Sequence, residues 1–284
     1  MKDNNANDDL VNRLKALAGK QPNEEFIGPF ERYYENGQLA EKGTFLNEQG
    51  VLDGPYEAYY ENGQLREKKH IKEGGKDGTV ERYYENGQLR HKFAMKNRRR
   101  ADGTFDEFYE NGLLAKTKTY KGGESQGLEI TYYENGQLKE KSTYKAGKAD
   151  GLYESYYEDG QVASKGYFKA GKREGPFEEF YENGQLERKG SFKDDLLDGP
   201  FEEFYEEGQL KEKSTYWADK ANGPYQSYYE NGHLKEKSTY KAGIIDGPFE
   251  EFYENGQLER KGSFKNYLPD GPFEEYYENG KLIE

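Results

Sequence analysis

The chain has 284 residues, with 55 acidic against 42 basic side chains, a formal net charge of −13, no cysteine, and 27 Tyr with 16 Phe supplying most of its apolar surface. That charge repels nucleic acid and anionic membranes, and no long basic stripe reverses it. No stretch approaches the ~18 apolar residues of a membrane span, and without thiols there is neither a disulfide framework nor a thiolate site.

Residues 1–7 are polar. Asp8 and Asp9 are placed to cap a short amphipathic helix through Leu10, Val11, Leu14 and Leu17, stopped by Gly19. A repeat array needs a cap over its first open strand, and a docking element is the other use for such a helix. The residues after Met1 do not form a signal peptide, which places the protein in the cytoplasm as written. A leader removed upstream would place it at the cell surface. Residues 1–25 are therefore read as tail and cap, and residues 26–284 as one repeat array.

The array is marked by glycines at 37, 63, 87, 112, 136, 160, 184, 208, 232, 256 and 280, nearly all preceded by Asn, with steps of 26, 24 and 25 residues and then 24 throughout. A second glycine precedes each by nine residues, from Gly28 to Gly271, which makes eleven units. The stretch Gly175–Lys193, GPFEEFYENGQLERKGSFK, returns letter for letter at Gly247–Lys265. Aromatic runs bounded by Gly, Pro and Asn read as strands, and Asn-Gly between them as a two-residue hairpin turn with positive φ at both residues. That turn pairs Tyr181 with Leu186, Glu179 with Arg188 and Phe177 with Gly190 on an apolar side, where the aromatic covers a cross-strand glycine. The other side pairs Phe180 with Glu187 and Glu178 with Lys189. Acid–Lys pairs recur in the same register at Glu31/Lys42, Glu57/Lys68, Glu81/Lys92, Glu154/Lys165, Glu202/Lys213 and Glu250/Lys261, and these discourage strand slippage. Between hairpins a looser loop is expected, as at 193–199. The fold class is all-β: an elongated antiparallel meander of eleven hairpin repeats of about 24 residues, roughly 22 short strands running on the order of 100 Å along the sheet, with a short N-terminal helix.

Repeats three to six are irregular. The strand-opening proline becomes Thr79, Thr104, Leu128 and Leu152, and the small residue of the Gly190 position becomes Phe93 and then Lys118. Lys96, Arg98, Arg99 and Arg100 form the one basic cluster, and in the fifth repeat Glu129 takes the aromatic position while Leu128 and Ile130 move to the polar side. Repeats seven to eleven return to near-identity, with Trp217 in a loop as a candidate contact.

Catalytic signals are weak. His70, His91 and His233 lie in different repeats without metal-ligand spacing, and adjacent carboxylates such as Glu178 and Glu179 point to opposite faces, so they cannot flank one bond. No phosphate loop and no nucleophile elbow occur. The chain reads as a non-enzyme without cofactor or metal. The recurring surface is instead a row along the polar side, from Tyr33 and Tyr59 through Tyr83, Phe108, Tyr132, Tyr156, Phe180, Phe204 and Tyr228 to Phe252 and Tyr276. Amphipathic aromatics in a charged frame suit an extended protein or sugar contact. Tyr83 to Tyr228 of this row are the candidate binding residues, and Arg98, Arg99, Arg100, Ile130 and Trp217 the candidate specificity patch.

The strand-opening Gly, the Tyr-Tyr-Glu-Asn-Gly-Gln/Lys-Leu core and the following Lys-x-Gly-Lys-x-Asp-Gly resemble MORN repeats, and more narrowly their bacterial variant, over about residues 26–284. The resemblance implies an elongated array of antiparallel hairpins and brings no catalytic residues. Bacterial variant-repeat proteins are commonly labelled antitoxin components, which implies neutralising a partner by binding it. The expected function is thus a scaffold for a protein partner, of antitoxin or immunity type. The alternative is a surface or cell-wall module that binds glycan through the aromatic row.

Overall fold

The structure, a computed structural model, describes residues 28–47, 50–96 and 99–283. The helix expected over Asp8–Gly19 lies outside them. The described chain is all-β: 25 antiparallel strands in an open meander, from Gly28–Tyr33 to Glu274–Glu275. They fall into two compact units, the first running to Leu114 and taking in Tyr120–Gly123, the second made of Ala115–Thr119 and Glu124–Glu284. In each unit strands pair with their neighbours in sequence, so almost every contact is local to one repeat and the next.

Three of the five pairs expected across the Gly175–Lys193 hairpin hold: Phe177 faces Gly190, Glu178 faces Lys189 and Glu179 faces Arg188. The other two do not, because the turn is different. Gly184 N–H donates to Tyr181 O at 2.9 Å and Tyr181 N–H to Gln185 O at 2.9 Å, closing a three-residue loop of Glu182, Asn183 and Gly184. Only Gly184 has positive φ (81°), the pattern of a type I turn ended by a left-handed glycine. Phe180 therefore faces Leu186, and a bulge at Glu187 restores the expected register beyond it. Asn183 is there for its side chain: Oδ1 accepts from Gln185 N–H at 2.8 Å, and Nδ2 donates to Glu206 O of the next repeat at 2.8 Å.

The two-residue turns lie at the opposite end of the strands, where a loose loop was expected. Lys193 pairs with Leu196 and Phe192 with Leu197 around Asp194 (φ 53°) and Asp195 (φ 75°). Ala218-Asp219 and Ala170-Gly171 adopt the same positive angles, as a type I′ turn requires. The short strands Lys172–Arg173, Leu196–Leu197, Lys220–Ala221 and Leu268–Pro269 that follow such turns raise the count above the expected 22.

The core is a row of cross-strand pairs in which one large group covers one small one. Phe177 and Phe201 are 7% exposed and Phe249 4%, facing Gly190, Ser214 and Gly262. Val80 opposite Phe93 reverses the order of sizes within the pair, and both are buried. A Cβ on Gly190 would lie 2.9 Å from Phe177 Cε1 and 3.2 Å from Phe201 Cδ2, so glycine there makes room for two rings. Phe177 also stacks on Phe192, with ring centroids 4.4 Å apart.

Two substitutions test this account. Gly190→Val should lower stability by about 1–3 kcal/mol through overpacking, and Gly190→Ser by clearly less, since Ser142, Ser214 and Ser238 fill the same position buried; urea midpoints compare them. Tyr205→Phe removes the hydroxyl that donates to Tyr228 O at 2.7 Å. It should cost about 0.5–1.5 kcal/mol and speed amide exchange at Gly208. An unchanged exchange rate there would show that the hydroxyl does not tie the turns together.

Candidate binding surface

On the polar side Glu57 and Glu202 are each held between two lysines. Cα pairing joins Glu57 to Lys68 within its hairpin and to Lys42 of the preceding one. The shorter ion pair is often the one between hairpins: Lys42–Glu57 is 2.8 Å and Lys68–Glu57 4.0 Å. Glu202 is held evenly, by Lys189 at 2.9 Å and Lys213 at 3.0 Å. Hydrogen bonds from Lys42 and then Tyr59 hold the Glu57 carboxyl below the usual carboxylate range.

The same lysines roof the aromatic row. Lys42 lies 5.8 Å from the ring centroid of Tyr59, Lys165 5.6 Å from Phe180 and Lys189 5.7 Å from Phe204, within cation–π range. Where the row carries tyrosine, its hydroxyl often turns to the acid two residues back, as Tyr83 does to Glu81 at 2.9 Å and Tyr156 to Glu154 at 3.1 Å. Burial, with the bond to Glu81, pushes Tyr83 up to about 12. Tyr83, Phe108, Tyr132, Tyr156, Phe180, Phe204 and Tyr228 are all half-buried, so the row presents ring edges in a fixed charged frame rather than free rings.

The candidate patch is dispersed. Arg98 lies outside the described residues. Arg99 is exposed, whereas Arg100 packs its guanidinium against Phe93, Phe105 and Tyr120 at 4.3, 4.1 and 5.1 Å from their centroids. Ile130 is half-buried opposite Lys141, beside the exposed Leu128. Trp217 is 69% exposed and ends a strand next to the Ala218-Asp219 turn rather than sitting in a loop. Glu129, in the aromatic position, is 6% exposed and ion-paired to Lys116 and Lys118.

Sequence reasoning passed over Lys69, which occupies the Gly190 position in the second repeat. It lies opposite Tyr56 with its ammonium 4.1 Å from the ring centroid, and 2.5 Å from Glu67. Its presence in a position that is Gly or Ser in most repeats was the available signal. Also missed were Arg66, Arg82 and Arg90, which with His91 line a cleft of about 330 Å³. Arg66 comes from the second repeat and Arg82 and Arg90 from the two strands of the third, so no linear cluster announced them. Among the described residues no group of three or more His, Asp or Glu side chains is placed to hold a metal ion.

The model of the MORN repeat variant family matches residues 27–47, 52–73, 76–97, 125–146, 149–170, 173–194, 197–218, 221–242, 245–266 and 269–284. The chain belongs to the MORN repeat variant family. Residues 98–124, which include Arg100 and Lys118, are not matched. No curated protein matches the chain in sequence. Similar solved structures include the TcdB2-TccC3-Cdc42 complex (11% identity over 90% of this chain, TM-score 0.20) and TcdB2-TccC3 (10% over 89%, TM-score 0.20). A third is the Photorhabdus luminescens Tc holotoxin pore with a TccC3 mutation (11% over 89%, TM-score 0.19). The MORN variant chain spans 17–18% of the length of those chains.

One carboxylate of the frame titrates far from its usual range. Burial alone would raise Glu67, but hydrogen bonds from Lys69 and Lys76 outweigh it and lower its pKa to about 2. The unfolded chain then takes up a proton near the ordinary 4.5 while the folded one does not, so this stabilisation is present above that value and is lost as pH falls towards about 2. Glu67→Gln should therefore reduce stability at neutral pH and flatten the fall between about pH 5 and 2. Urea midpoints across that range check it, and parallel curves for the two proteins would refute the assignment.

Proposed function

We propose that this MORN repeat scaffold is non-enzymatic and acts by binding a protein partner along the aromatic row. The observation that supports this reading is the row's preorganisation. Phe180 and Phe204 lie under Lys165 and Lys189, and Glu202 is ion-paired on either side, so little side-chain freedom there remains to be lost on association. Half-buried Tyr and Phe between charged neighbours give a surface with apolar edges and a polar rim, the composition of protein interfaces. The finer reading, that the partner is a toxin neutralised by this contact, draws on the antitoxin role attributed to bacterial variant-repeat proteins.

Affinity capture from host lysate tests the proposal, with a Tyr132→Ala/Phe180→Ala/Phe204→Ala variant as control and circular dichroism to confirm that the control folds. One protein retained stoichiometrically by the native chain and lost with the folded control is the expected result. The absence of any protein whose retention depends on the row, together with binding to cell-wall polysaccharide, would overturn it in favour of a glycan module.

A further inference from the structure

Along the row that flanks the core positions, arginine normally faces glutamate across the ladder. Arg32 lies opposite Glu41, Arg188 opposite Glu179 and Arg260 opposite Glu251, and all three are ion-paired. The third repeat departs from this, because Arg82 lies opposite His91. His91 offers Arg82 no carboxylate across the ladder, and burial holds its ring below the usual imidazole range, so both side chains turn to acids of neighbouring repeats. Arg82 reaches Glu67 at 3.2 Å and His91 reaches Glu107 at 3.1 Å. Glu67 is already shared with Lys69 and Lys76, so it neutralises Arg82 only in part.

The bulge residues on either side add to the imbalance. Arg66 and Arg90 are exposed and form no ion pair among the described residues; Arg90 rests on the Tyr84 ring, 5.3 Å from its centroid. Arg66, Arg82, Arg90 and His91 line, together with Glu67 and Tyr83, the cleft of about 330 Å³. Its lining thus sets three guanidinium groups against one carboxylate in a chain whose net charge is −13. His91 Nδ1 is buried and has no hydrogen-bond partner among the described residues.

We propose that this cleft binds a small phosphomonoester. Guanidinium forks match phosphate oxygens in pairs, and Arg66 and Arg90 can supply them without breaking an existing ion pair. The volume sits at the lower end of small-molecule pockets, which begin at about 300 Å³, a size suited to a sugar phosphate or a similar compact ester. A phosphate on a lipid headgroup shares this chemistry, but the acidic chain repels an anionic bilayer. A bound dianion also supplies the counter-charge that Arg82 lacks across its own ladder, where it faces His91 rather than a glutamate.

Titration of the full chain with glucose 6-phosphate, followed by calorimetry and by the His91 ring resonances in NMR, tests the site. Saturable binding at one site with a shift of the His91 signals is expected. Affinity should fall roughly tenfold or more in Arg66→Ala/Arg90→Ala, because charge-assisted hydrogen bonds are lost, and stay unchanged in Arg173→Ala, an exposed arginine that does not line the cleft. A parallel arm uses phosphatidylcholine vesicles with phosphatidic acid. No saturable binding of glucose 6-phosphate, binding indifferent to the double substitution, or binding to the vesicles alone would each overturn the proposal.

Discussion

The fold depends on hydrogen bonds that tie each turn to the turn of the following repeat. In the first unit Tyr34, Tyr60 and Tyr84 donate their hydroxyls to the carbonyls of Tyr59, Tyr83 and Phe108. In the second, Tyr133, Tyr157, Tyr181, Tyr205, Tyr229 and Tyr253 do the same, 23 residues ahead. An asparagine two residues further on adds a second tie to the next turn's glutamate carbonyl. A hairpin alone is marginal in water, and a sheet with so few aliphatic residues buries little. Satisfying turn carbonyls from the neighbouring repeat turns each hairpin into a template for the next, and stability then accumulates through nearest-neighbour terms. The opposite edge has its own links: Ala170 N–H donates to Asp150 and Glu73 N–H to Asp53, each 20 residues back.

Between these edges the two faces of the strands solve different problems. On the core face the constraint is volume, met by pairing one large side chain with a glycine or serine, so that Phe177 needs Gly190 and Phe201 needs Ser214. On the polar face the constraint is charge. A glutamate with one lysine in its own hairpin and another in the preceding one makes an alternating ladder that fixes register within and between repeats. Surface ion pairs contribute little singly, and here their value lies in specifying register, since a one-residue slip would set every aromatic of the core against solvent.

Much of this was legible in the sequence. The period, the hairpin, the aromatic-over-glycine pair and the Glu–Lys register follow from alternation and spacing alone. What the sequence hid was the turn. Asn-Gly is compatible with a two-residue I′ turn and also with the last two residues of a three-residue loop, and the bulge at Glu187 cancels the one-residue offset between them, leaving the pairs from Glu179 onwards identical. The true I′ turns escaped notice because their sequences vary from repeat to repeat: Ala170-Gly171 carries a glycine to signal positive φ, whereas Asp194-Asp195, Ala218-Asp219 and Asn266-Tyr267 carry none. The aromatic row was legible as a row, but its lysine roof was not, because the roofing residue comes from the previous repeat, about 15 residues upstream.

The irregular repeats show how far the core position can be changed when a neighbour changes with it. Lys69 is accommodated by laying its stem over Tyr56 and its charge on Glu67. Glu129 replaces an aromatic ring outright and is buried, yet Lys116 and Lys118 bring two ammonium groups to it. Arg100 enters an aromatic box of Phe93, Phe105 and Tyr120. Each is a charge taken into a position built for volume; Lys69 and Glu129 are offset by ion pairs, and Arg100 by the faces of three rings. A globular core would distribute such a change over many contacts. In a one-dimensional array the compensation is confined to the next strand, so a repeat can acquire a charged, individual surface while the frame on either side stays as it was. The cluster around Arg82 and His91 gathers several cations at one place: Glu67 is shared three ways, and among the described residues Arg66 and Arg90 form no ion pair. The proposed phosphate site rests on this excess of positive charge, which no neighbouring repeat offsets in full.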